Sequence, residues 1–193
     1  MNAASPPLSE EGKRRYDLIL EETTQKVLVN TYLDQSGLLQ QSGLALAKHI
    51  CQKFHLVSQQ LQRRHDHRQT IVMNDEYDVQ DLLHAILKIH FDDVRPEVWT
   101  PTYAGGAAKM DFLLKNEKVV IEVKRTRDGL NSREIGDQLI IDIARYQEHP
   151  DCKALLCFVY DPEERIPNPP ELENDLRRDN DGLIVQVFVG PKR

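Results

Sequence analysis

Apolar residues along the 193-residue chain follow a helical period at first and a strand period later. Leu39, Gly43, Ala47, Ile50, Phe54, Val57 and Leu61 recur at spacings of three and four, the mark of one buried helical stripe. The proline-free stretch from Glu10 to about Leu33 is compatible with an earlier helix. The stripe gives way to Arg63, Arg64, His65, His67 and Arg68, cations that suit a helix C-terminus or a phosphate contact. A third helix is predicted from a cap at Asn74 or Asp75 to about His90, with Val79, Leu82, Leu83, Ile86 and Leu87 on its apolar face. Three and four residues before Val79 on that face stand Glu76 and Asp75, so an acid shares the face of the core leucines.

The period then shortens. Glu97 to Tyr103 reads as a first strand, with Gly105-Gly106 as a turn. Lys109 to Leu114 is a second strand, Lys115-Asn116-Glu117 a hairpin turn, and Val119 to Lys124 a third strand. A loop from Arg125 to Ser132 leads into a helix from about Arg133 to Gln147. The run Ala154 to Tyr160 is almost wholly apolar, as in a strand covered on both faces. A Pro-rich loop, a short helix near Leu172 to Arg178 and a last strand from Leu183 to Val189 follow. Three consecutive strands form an antiparallel meander, and the helix after the third permits a right-handed crossover to a parallel fourth. The expected fold is α/β, a mixed sheet flanked by helices with an N-terminal helical segment. A composition shift near Thr70 divides an accessory segment, 1–70, from a sheet domain, 71–193.

Charge narrows the functional classes. A net charge of −6 argues against coating nucleic acid by bulk attraction. Locally, however, Lys109 to Arg133 holds seven Lys and Arg against four acids, while Asp161 to Asp181 holds eight acids against three Arg. No run approaches the length of a membrane span, the first residues lack the apolar core of a signal peptide, and Cys51, Cys152 and Cys157 have no metal-ligand spacing. A cytoplasmic, reduced protein with no membrane contact is expected.

Strand alternation supplies the candidate chemistry. Val119, Ile121 and Val123 share one face of their strand, and Val120, Glu122 and Lys124 the other. On the preceding strand Lys109, Asp111 and Leu113 share a face, and the hairpin can set Asp111 beside Glu122. Adjacent buried carboxylates repel, and a divalent cation resolves the repulsion. Magnesium accepts two carboxylates, a backbone carbonyl and a phosphate oxygen, and retains water. A lysine alongside can orient or deprotonate the attacking water and offset charge on a phosphate, the parts of metal-assisted phosphodiester hydrolysis. A lone Glu-x-Lys on a strand is more often a surface ion pair; the earlier Asp, the helical acid and the crossover helix together favour the catalytic alternative.

The blocks DEYDVQDLLHAIL, YAGGAAKMDFLL, VVIEVKRTR and EIGDQLIIDIARY resemble the DpnII/MboI-type branch of the PD-(D/E)XK nucleases, with Met110-Asp111 and Glu122-Val123-Lys124 as the motif halves. The resemblance covers about residues 74–190 and implies a restriction endonuclease-like fold and a Mg-dependent DNA endonuclease, with manganese as a substitute. It implies that Asp111 and Glu122 ligate the metal with help from the Val123 carbonyl, and that Lys124 acts on the water. Glu76 matches a helical acid used for a second metal or a bridging water; Asp75 is the alternative. Met110 stands where the motif name has proline.

Glu134, Gln138, Asp142 and Tyr146 recur every four residues on the crossover helix, beside a packing face of Ile135, Leu139, Ile140 and Ile143. That ladder is either a solvated face or, through Gln138, part of the active site, as on this helix in related nucleases. Arg125, Arg127 and Arg133 flank the loop after the catalytic strand and are candidates for holding the DNA backbone. The N-terminal helices suit a homo-oligomer or attachment to a multi-protein defence complex, and the resemblance implies a role in bacterial anti-phage defence. The rival readings are a non-catalytic binding module on the same fold, and a repair or RNA-processing nuclease.

Overall fold

A computed structural model describes residues 10–99, 109–130, 132–180 and 182–192. The elements are α1 (Glu10–Gln62), a 3-10 turn (His65–His67), α2 (Glu76–His90), β1 (Val94–Trp99), β2 (Lys109–Leu114), β3 (Val119–Arg125), α3 (Ser132–Tyr146), β4 (Ala154–Tyr160), α4 (Pro169–Asp175), β5 (Arg178–Asn180) and β6 (Leu183–Gly190). The six strands form one mixed sheet in the order β1-β2-β3-β4-β6-β5. β1, β2 and β3 pair antiparallel, β3, β4 and β6 pair parallel, and β5 closes the far edge antiparallel to β6. This is the mixed sheet flanked by helices that the sequence predicts. Pro96 lies on the edge strand β1, where its missing N–H leaves no central ladder broken.

Two apolar layers cover the sheet. On one face Leu44, Ala47, Ile50, Cys51 and Phe54 of α1 and Val79, Leu82, Leu83 and Leu87 of α2 pack with Phe112, Val119, Ile121, Val123 and Phe158. On the other, Ile135, Leu139, Ile143 and Tyr146 of α3 pack with Val120, Leu155, Cys157 and Val159. Val119, Ile121 and Val123 thus face α1 and α2, and Val120 faces α3, as the alternation requires. β4 is buried along its whole length.

The differences from the expected elements have local causes. Helical backbone runs unbroken through the gap expected between Leu33 and Leu39, where no proline stands. The buried stripe of α1 runs through Ala47, Cys51, Phe54 and Ser58, spaced four, three and four, so Leu39 and Val57 fall outside it and are exposed. Gly43 meets the β2–β3 turn so closely that a Cβ there would lie 2.5 Å from Cγ of Glu117. The chain divides after Leu38 into two compact units, Met1–Leu38 and Leu39–Arg193, earlier than the composition shift near Thr70. β1 begins three residues before its expected start, and the rest of the strand expected to Tyr103, with Gly105-Gly106, lies outside the described residues. β5 has three residues, too few for a readable period. Ile140 is exposed, because it stands about 100° around the helix from Leu139, off the packing stripe.

Candidate active site

The site forms where β2, β3, α2 and α3 meet. The β2–β3 ladder runs Leu114↔Val119, Leu113↔Val120, Phe112↔Ile121, and the next pair in that register is Asp111 and Glu122. There a side chain replaces the backbone rung: Asp111 Oδ2 accepts from the Val123 N–H at 2.7 Å. Asp111 Oδ1 accepts from Gln80 Nε2 of α2 at 2.8 Å. Glu122, only 4 % exposed, accepts from Lys124 Nζ through Oε1 at 2.6 Å and from the Tyr146 hydroxyl through Oε2 at 2.7 Å. The Tyr146 hydroxyl also lies 3.0 Å from the Lys109 carbonyl oxygen. Lys124 Nζ stands 3.2 Å from Asp142 Oδ2 of α3. Glu76 reaches the same end of β3, where its Oε2 accepts from the Arg125 N–H at 3.3 Å.

Burial sets the electrostatics. It pushes the Glu122 carboxyl well above the usual carboxylate range, the Asp111 charge adds to the rise, and Lys124 opposes it. Asp111 is raised by burial too, against the Val123 N–H and Lys124. Glu76 is raised for the same first reason. Burial alone lowers the Lys124 amine, but Glu122 and Asp142 outweigh it, so its net shift is upward and it stays an ammonium. Burial and the Glu122 carboxylate hold the Tyr146 phenol protonated.

This donor set fits a hard divalent cation. Two acids with a shared penalty for ionising stand at neighbouring register positions, and each of their four oxygens receives one recorded hydrogen bond, which leaves lone pairs for a ligand. Among the described residues no three His, Cys, Asp or Glu side chains converge as a ready ligand set.

Several sequence-predicted residues gather here: Glu76, Asp111, Glu122, Lys124, and Val123 through its N–H. Asp75, the alternative helical acid, is instead the N-cap of α2, accepting from the Asp78 N–H in a reciprocal capping box. Gln138 does not join this cluster: it is exposed, beside Arg127, Gly129, Leu130 and Glu134. A four-residue ladder rotates about 40° per step on an α-helix, so its members cannot all face one way, and here Asp142 and Tyr146 reach the acids. Arg125 is largely turned inward, its guanidinium bonded to Glu163 and to the Thr126 carbonyl, whereas Arg127 and Arg133 are exposed. Sequence reasoning missed Gln80; its signal was the spacing of four from Glu76 along α2.

Among the described residues no helix is long and apolar enough to cross a membrane. No curated protein matches the chain. The family model of the DpnII-MboI restriction endonucleases (REase_DpnII-MboI) matches residues 45–192, which include every residue of the cluster. The match takes in Ala47, Ile50, Cys51 and Phe54 of α1 as well as the acids, the lysine and the helix behind them, and on it the chain belongs to the DpnII-MboI restriction endonuclease family, nucleases whose substrate is DNA.

Proposed function

We propose that this chain is a magnesium-dependent DNA endonuclease, with manganese as a substitute, that cleaves phosphodiester bonds at Asp111, Glu122 and Lys124. The observation that carries the reading is the buried pair of carboxylates with the Lys124 ammonium 2.6 Å from one of them. Asp111 and Glu122 would hold the cation with the Val123 carbonyl, and Glu76 would take a second cation or a bridging water. A bound cation supplies Lewis acidity and a water of lowered pKa. Lys124, kept charged by Glu122 and Asp142, orients the attacking water and offsets charge growing on the phosphate. Tyr146 and Gln80 hold the two acids in their rotamers. Arg127 and Arg133, both exposed, would grip the DNA backbone, and Arg125, paired with Glu163, would contribute mainly to the fold.

The role we infer is cleavage of foreign DNA in the bacterial cytoplasm, with the segment ahead of the sheet domain mediating self-association or attachment to a defence complex. Incubation with plasmid DNA under magnesium, manganese and EDTA tests the chemistry. Cleavage should require a cation and vanish in Asp111→Ala and Lys124→Ala while the circular dichroism spectrum is kept. Undiminished cleavage in both variants refutes the assignment.

A further inference from the structure

Beside the acids lies an aromatic surface that the cleavage chemistry leaves unused. Trp99 ends β1, is 60 % exposed, and pairs in register with Lys109 of β2. The Lys109 ammonium sits 5.2 Å from the centre of the indole ring. Lys109 also pairs with Glu97 at 3.2 Å, a solvent-exposed ion pair of the kind that contributes little and exchanges readily.

This surface adjoins the candidate active site along β2. Lys109 and Asp111 are two residues apart along β2, about 7 Å by the usual strand rise. The Lys109 carbonyl oxygen is the second neighbour of the Tyr146 hydroxyl that holds Glu122. A stacked nucleic-acid strand rises about 3.4 Å per nucleotide, so a distance of about 7 Å keeps the surface within one or two nucleotides of a phosphate held at Asp111 and Glu122.

We infer that Trp99 and Lys109 form a nucleotide platform: the indole stacks an unpaired base next to the scissile phosphate, and Lys109 pairs with that nucleotide's phosphate. The inference rests on the nuclease reading and adds a preference within it. An exposed indole beside a cation offers a base a π-face and its phosphate a counter-charge. In an intact duplex the bases stack on each other, so the platform favours single-stranded DNA or a nucleotide swung out of its helix.

Trp99 is the single tryptophan of the sequence, so its emission reports on the platform directly. The test uses the full chain in EDTA with a labelled single-stranded oligonucleotide and its duplex, read by label anisotropy and tryptophan emission together. The single strand should quench Trp99 with the same midpoint that anisotropy gives, and the duplex should quench it less. Trp99→Ala should weaken single-strand binding about tenfold, with Trp99→Phe restoring most of the loss. Binding seen by anisotropy with unchanged emission, or equal affinity in Trp99→Ala, overturns the platform and leaves the nuclease reading intact. Failure of both oligonucleotides to bind, together with no plasmid cleavage, overturns both.

Discussion

Glu122→Gln separates the charge of the central acid from its packing. The glutamine keeps the shape, and the hydrogen bonds can be redrawn without loss. Its Oε1 accepts from Lys124, its Nε2 donates to the Tyr146 oxygen, and the phenol proton turns to the Lys109 carbonyl. Lys124 keeps Asp142 as a counter-charge at 3.2 Å. What disappears is a carboxylate whose ionisation is opposed by burial and by Asp111. Because the folded state raises this pKa, wild-type stability is fullest below the unfolded carboxyl value, about 4.3, and declines as pH rises through the folded value. Each unit of elevation is equivalent to about 1.4 kcal/mol once the group is ionised. In EDTA at pH 8 the variant should therefore be more stable than wild type by about 1–3 kcal/mol, or roughly 2–12 °C in Tm, with the gap closing towards pH 5. Adding magnesium should raise the wild-type Tm and leave the variant nearly unmoved, since a ligand stabilises only the state it binds. Differential scanning fluorimetry across pH, with and without the cation, reads all of this. A variant that melts below wild type at pH 8 in EDTA refutes the electrostatic account.

Three further outcomes can be checked. Tyr146→Phe removes one hydroxyl from the Glu122 carboxylate and should slow plasmid cleavage about 10- to 100-fold with the fold retained; an unchanged rate would show that Glu122 holds its rotamer unaided. Gly43→Ala, which should help a helix, is expected instead to lower stability by about 1–2 kcal/mol in urea denaturation, because the new methyl meets Cβ and Cγ of Glu117. Glu117→Ala added to it should recover part of the loss. A chain starting at Leu39 should give a smaller assembly than the intact protein by light scattering, and equal stoichiometry would exclude the first segment from self-association.

The sheet was legible in the sequence because two periods of different length carried it. β2 and β4 stand where the alternation and the apolar run place them, and Asp111, Glu122 and Lys124 follow from parity along two strands. Parity does not say how a helix rotates over a sheet. A ladder of four polar residues on α3 reads as either a solvated face or, through Gln138, a part of the site, and only packing against β3 brings Asp142 to Lys124 and Tyr146 to Glu122. Gln80 was missed for a related reason: its spacing of four from Glu76 does not say which acid it donates to until α2 is set against β2. Arg125 looked like a free cation because its counter-charge, Glu163, lies 38 residues away in sequence.

The acid at position 111 is also the last rung between two strands. Where a sheet would join the hairpin through backbone alone, a titratable group closes it by taking the Val123 amide. Whatever ligand draws on that oxygen must share it with the amide, so occupancy of the centre is written into the closure of the hairpin. Hydrogen exchange at Val123 would then act as a gauge of loading.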